Sequence, residues 1–186
     1  MNKKDMKKRL KSDLKPSRYE HTLGVEYTSA CLAMRYGYDV EKADLAGLLH
    51  DCAKHLSDKE KFALCKRKKI KISSAEKKNP GLLHAKLGAV LAKDKYDIKD
   101  KEILSAITWH TTGKPEMSLL DKIVFIADYI EPNRDQAPNL DEIRQMAFTD
   151  LDQCLIMILK QTLDYLESKD ACMDPMTMET YQYYIK

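Results

Sequence analysis

The sequence predicts an all-α fold, a single helical bundle spanning 1–186. Three observations carry this expectation. Turn residues are scarce, with only 6 Gly and 6 Pro in 186 residues. Good helix formers (Leu, Lys, Glu and Ala) are abundant. No segment alternates apolar and polar residues with the period of two that a half-buried strand needs.

The helices can be read in order. Residues 2–14 form a short basic helix ended by Pro16. Ser17 and Glu20 have the spacing of a capping box and open the next helix. It carries Leu23, Tyr27, Ala30 and Met34 on one stripe and stops at Gly37. Asp39 caps a third helix that runs to about Lys54. Ser57 and Glu60 form a second capping box, and that helix fades into a basic run. Asn79-Pro80-Gly81 breaks the chain before a helix over about 82–94. Asp100 caps the next, which ends near His110. Residues 111–115 form a loop. Ser118 caps an apolar helix, Leu119 to Ile130, closed by Pro132. A polar loop, 133–139, leads to helices over 140–148, 150–168 and 176–184.

Bulk properties narrow the function classes. The chain fits one domain and is long enough to bury a core without disulfides. Its net charge of +3 identifies no partner. Lys66, Arg67, Lys68, Lys69 and Lys71 form a basic run, but no aromatic residues interleave with it for base stacking, so it reads as a solvated face rather than a nucleic-acid site. The five cysteines lack any CxxC spacing, and Cys31, Cys52 and Cys154 read as core residues. No apolar run reaches the roughly 18 residues of a membrane span. The N-terminus has no apolar signal segment, and a cytoplasmic protein is expected. Neither a Walker-type phosphate loop nor a GxSxG nucleophile occurs.

The chemistry lies in the histidines and two aspartates. His21 lies inside an amphipathic helix, and His50 closes the apolar stretch 45–49. His84 follows Leu82-Leu83, and His110 ends its helix. Each alone reads equally as a core or surface histidine. Asp128 sits within Ile123–Ile130, where an ionised carboxylate is costly without a cation. Asp51 poses the same question beside His50. A salt bridge is one answer. A divalent metal held by imidazoles and carboxylates is the other, and that donor mixture suits iron, manganese, cobalt or zinc better than calcium. Arg18 shares a helix face with His21, and Lys54 shares one with His50 and Asp51. A basic residue beside each cluster suits a phosphate substrate.

The ordered pattern of His21, His50-Asp51 and Asp128 on predicted helices resembles the HD superfamily. The wording around it is closer still. Segments 18–25, 50–54, 84–89, 110–113 and 121–134 look like the bacterial YqeK family, the symmetrical diadenosine tetraphosphate hydrolases. The resemblance spans about 16–170. It implies an HD-domain bundle and an iron-dependent hydrolase that yields two ADP molecules. It also implies metal ligation by His21, His50, Asp51 and Asp128. His84 and His110 would hold a second ion or contact phosphate. Asp51 and Lys54 are the expected catalytic residues. The expected substrate contacts are Arg18, Lys54, His84, His110, Thr111, Thr112, Gly113 and Arg134. Asp121 and Lys122 would orient one another or a water. His55 falls outside the pattern. Open alternatives are a hydrolase of deoxynucleoside triphosphates or a guanosine alarmone, a non-catalytic nucleotide sensor, and a two-iron oxygenase. A homodimer is also left open.

Overall fold

A computed structural model describes residues 1–186. Eleven helices and one 3-10 turn, Pro80–Leu82, make up the chain, with no strand. They are α1 (Lys3–Asp13), α2 (Pro16–Tyr36), α3 (Val40–Leu49), α4 (Asp58–Lys68), α5 (Ser74–Lys78), α6 (Leu83–Tyr96), α7 (Lys101–Trp109), α8 (Leu119–Ile130), α9 (Leu140–Ala147), α10 (Leu151–Ser168) and α11 (Pro175–Tyr184). The centre is a group of four. Helix α2 lies along α3 and against α8, while α7 packs on α3, α6 and α8. Helix α10 backs α8 and carries α9 and α11. One continuous apolar core runs through these layers, from Met6 to Leu159. No helix is long and apolar enough to cross a membrane.

Most caps lie where the residue types place them. Asp39, Ser57, Asp100 and Ser118 each accept from a backbone N–H of the first helical turn. Gly37 closes α2 in the left-handed region, with φ of 67°. The basic run ends α4 and extends beyond it. Lys66, Arg67 and Lys68 occupy the last turn, where cations offset the partial negative charge of a helix C-terminus.

Four expectations change. The capping box of Ser17 and Glu20 does not form. Pro16 takes the first helical position instead, with Lys15 as the cap residue, because its missing N–H and fixed φ suit that place. The stripe on α2 is displaced as well. Tyr27 and Met34 are exposed, as is Cys31. The buried face carries Thr22, Val25, Glu26, Ser29, Leu32 and Ala33. Glu26 is tolerated there because Lys3 and Lys7 of α1 lie 2.7 and 2.8 Å from its carboxylate. Helix α3 stops at Leu49 rather than Lys54, and tight turns follow: the N–H groups of Cys52, Lys54 and Leu56 each bond a carbonyl three residues earlier. Finally, α5 was not expected. It is only five residues long and opens on its own capping box, Ser73 with Glu76.

Candidate metal centre

Three of the four motif histidines are set by the same local device. The ring Nδ1 of His50 bonds the Gly47 carbonyl at 2.7 Å. His84 bonds the Gly81 carbonyl at 2.5 Å, and His110 the Ile107 carbonyl at 2.7 Å. In each case the carbonyl lies three residues earlier, at a helix end or turn. A carbonyl only accepts, so Nδ1 carries the hydrogen and Nε2 keeps its lone pair. His21 reaches the same state differently, because its Nδ1 meets the Glu131 carboxylate at 3.0 Å.

The four Nε2 atoms converge on two carboxylates. His21 Nε2 is 3.0 Å from Asp128 Oδ1. His50 Nε2 is 3.6 Å from Asp51 and 3.9 Å from Asp128. His84 and His110 approach Asp51 Oδ1 at 3.1 and 3.7 Å, and their Nε2 atoms are 3.0 Å apart. With the hydrogens on Nδ1, these contacts set acceptor against acceptor. His21 Nε2, His50 Nε2 and Asp51 Oδ1 are buried with no hydrogen-bond partner. Such a gathering of lone pairs is costly in a protein interior unless a cation sits among them. The donor set therefore fits a divalent transition metal. Three triplets have ligand atoms within 4.8 Å of one another: His21, His50 and Asp51; His50, His110 and Asp128; Asp51, His84 and His110. Asp51 belongs to two of them, with its Oδ2 facing His50 and its Oδ1 facing His84 and His110. His55 contributes to none.

Burial opposes ionisation of Asp51, but His50, His110 and His84, when their rings carry a second proton, outweigh it and hold its carboxyl well below the usual range; among neutral rings a metal ion would supply that positive charge. Burial likewise opposes ionisation of Asp128, and His21, His50, His110 and Arg134 reverse it. Burial presses His84 down to about 4, against the pull of Asp51. His84 Nε2 also has donors nearby, Lys54 Nζ at 3.2 Å and Thr111 Oγ1 at 3.3 Å. It is thus less dependent on a metal than the other three rings.

Three cations rim the cluster. Arg18 meets Asp51 at 2.9 Å, and Arg134 meets Asp128 at 2.8 Å. Lys54 stands 3.8 Å from Asp51. Packing around the Lys54 ammonium lowers its pKa, against the attraction of Asp51. The loop carrying Arg134 is pinned by Arg144, which donates to the carbonyls of Ile130, Glu131 and Arg134.

The remaining expected residues divide. Thr111 joins the cluster through His84. Thr112 and Gly113 turn towards α11 instead: the Thr112 carbonyl accepts from Thr180, and a Cβ on Gly113 would come within 2.7 Å of the Thr180 side chain. Asp121 and Lys122 do not pair with each other. Asp121 closes the α8 capping box, and Lys122 bonds Asp152. Sequence reasoning missed Glu131. It is 1% exposed, and it also accepts from the backbone and side-chain nitrogens of Asn133. The available signal was a carboxylate that closes an apolar helix directly before a proline.

A cleft of about 990 Å³ opens beside this cluster. Its lining includes Arg18 and His21 of α2, Arg134 of the loop after α8, and Gln161, Asp164 and Tyr165 of α10.

Comparison with known proteins agrees with this geometry. The sequence matches the HD domain family over residues 18–133. The symmetrical bis(5'-nucleosyl)-tetraphosphatase of Bacillus subtilis (strain 168) is 40% identical, over 100% of this chain and 98% of that protein. The Staphylococcus aureus (strain NCTC 8325 / PS 47) protein of the same name is 35% identical, over 99% of this chain and 95% of that one. A crystal structure from Clostridium acetobutylicum, described as a predicted HD superfamily hydrolase involved in NAD metabolism, superposes with a TM-score of 0.96. It is 39% identical and covers 100% of this chain and 97% of its own.

Proposed function

This chain belongs to the HD-domain family, and from that premise we propose that it is a metal-dependent phosphohydrolase that cleaves diadenosine tetraphosphate symmetrically into two ADP molecules. The observation that carries the reading is the buried cluster of unpartnered imidazole and carboxylate acceptors, rimmed by Arg18, Lys54 and Arg134. Relatives of this name match along their full length.

His21, His50, Asp51 and Asp128 would hold the metal. His110, with Asp51 and His84, offers a second triplet. Nitrogen and oxygen donors in this proportion suit ferrous iron, with manganese, cobalt or zinc as substitutes. A bound divalent ion supplies Lewis acidity towards a phosphoryl oxygen and makes a water molecule more acidic. The chain's own residues do the rest. Asp51 belongs to two of the three triplets, so its removal disturbs both. Arg18 and Arg134 offer planar donors to phosphate oxygens. Lys54, beside Asp51 and His84, offsets charge that grows on the phosphates as the bridge breaks. A central attack on the four-phosphate chain leaves ADP on both sides.

The test is incubation of the purified protein with diadenosine tetraphosphate under reducing conditions, with iron, cobalt or manganese supplied and Asp51→Ala as control. ADP as sole product, lost in the variant, is the expected result. ATP with AMP would remove the symmetrical assignment. An inert, metal-loaded protein would refute diadenosine tetraphosphate as the substrate. Elemental analysis of protein purified without added metal tests the choice of iron.

A further inference from the structure

The segment after His110 is anchored by the last helix of the chain. Within itself it makes only local bonds: the Gly113 N–H donates to the Trp109 carbonyl at 2.9 Å, and the Thr112 hydroxyl to the Gly113 carbonyl at 3.0 Å. Two bonds tie residues 112–117 to distant parts of the chain, and both run to α11. The Met117 N–H donates to the Tyr184 hydroxyl at 2.9 Å. The Thr180 hydroxyl shares its hydrogen between the Thr112 carbonyl, at 3.3 Å, and the Met176 carbonyl of its own helix, at 2.7 Å.

Packing adds to these bonds. Gly113 has a φ of 66°, which suits a residue without a Cβ. A Cβ there would also come within 2.7 Å of Thr180 Cγ2. Thr180 and Thr177 are the two buried residues of α11, and Tyr181 and Tyr184 pack on the core beside them. Thr111 and Thr112 also line a cavity of about 160 Å³, shared with Ser73, Glu76 and Asp174. That space gives the loop room to move when its contacts with α11 are weakened.

What the segment carries makes its position matter. His110 ends α7 and belongs to two of the three triplets, with its Nε2 3.0 Å from that of His84. Thr111 Oγ1 lies 3.3 Å from the same His84 nitrogen. Ligand atoms need to be held within about 0.5 Å of their working positions, by packing and hydrogen bonds outside the ligands themselves. His21 rests on Glu131 for this purpose.

We propose that α11 is a clamp on the His84–His110 half of the centre, with Thr180 and Tyr184 as positioning residues that set His110 and Thr111 through the loop they hold. This deepens the proposed function and rests on it for the metal, but not for the placement of the rings. Neither residue touches a reacting atom.

The experiment uses the full chain, freed of metal by chelation, with Thr180→Val and Tyr184→Phe. Thr180→Ser, which keeps the hydroxyl, is the conservative variant, and His110→Ala is the reference. Cobalt(II) affinity is measured by calorimetric titration, and the imidazole signals of the metal-free proteins by NMR. Thr180→Val and Tyr184→Phe are expected to weaken cobalt binding by about tenfold, in the direction of His110→Ala, while Thr180→Ser stays within about twofold of the parent. The signals of His84 and His110 should shift in the first two variants while those of His21 stay in place. A lowered Tm with parental cobalt affinity and parental His84 and His110 signals would leave α11 a structural helix and overturn the clamp. So would an equal shift of His21, which would mark a general loosening. A parent that takes up no cobalt would remove the proposed metal centre instead, and the clamp would then stand on the His84 and His110 shifts and fall without them.

Discussion

At the residue scale, the least expected feature of the centre is the partnership of Glu131 with His21. Three of the rings rest on backbone carbonyls, but His21 rests on a charged carboxylate. A carboxylate behind a ligating imidazole fixes its tautomer and raises its basicity towards a metal. Gly24 makes room for it, because a Cβ there would stand 2.2 Å from Glu131 Oε2. Gly24→Ala is therefore expected to displace Glu131 and lower metal affinity by roughly 10- to 100-fold, while the circular dichroism spectrum stays helical. Glu131→Gln, which keeps the shape and can still accept from His21, should lose less than Glu131→Ala. Direct metal titration reads both, and wild-type affinity in Gly24→Ala and Glu131→Ala would remove Glu131 from the centre. This residue also marks the limit of what the sequence shows. His21, His50, Asp51 and Asp128 stand out because buried imidazoles and carboxylates are conspicuous beside apolar runs. Glu131 reads as an ordinary helix terminus. Only the crossing of α2 and α8 brings it to His21, 110 positions away, and local pattern does not encode that crossing.

At the scale of the element, caps that depend on local chemistry were legible and features that depend on partners were not. Ser118 illustrates the first kind. Its side chain accepts from Asp121 N–H, Asp121 accepts from the Ser118 N–H, and the helix so opened carries Asp128. Ser17 and Glu20 have the same spacing, but Pro16 already occupies the first helical position and the box does not form. The two serines therefore make a paired test. Ser118→Ala is expected to cost about 1 kcal/mol, a fall in Tm of roughly 2–4 °C for a chain of this size. Ser17→Ala should stay within about 0.5 kcal/mol. Equal losses in thermal denaturation would mean that sequence spacing alone decides capping. The displaced stripe of α2 is the second kind. Its buried Glu26 depends on two lysines from α1, so no window confined to α2 could reveal which face turns inward.

For the whole molecule, the centre acts as a cross-link. Its expected ligands come from α2, the turn after α3, the start of α6, the end of α7 and the last half of α8. A metal that binds only when these segments are assembled adds its binding free energy to the fold. At a free concentration 100 times its dissociation constant, that addition is about 2.7 kcal/mol. For a domain of this size it raises Tm by roughly 5–10 °C. Arg18, Lys54 and Arg134 already offset Asp51 and Asp128, so removal of metal should lower stability without unfolding the chain. The expectation is a lower Tm after chelation, recovery on adding iron, cobalt or manganese back, and no metal response in Asp51→Ala. Chelation that empties the protein by elemental analysis yet leaves Tm unchanged would show that the ion, if bound, does not tie these segments together. The apolar core alone would then hold the bundle, with Arg18, Lys54 and Arg134 left to offset the two aspartates.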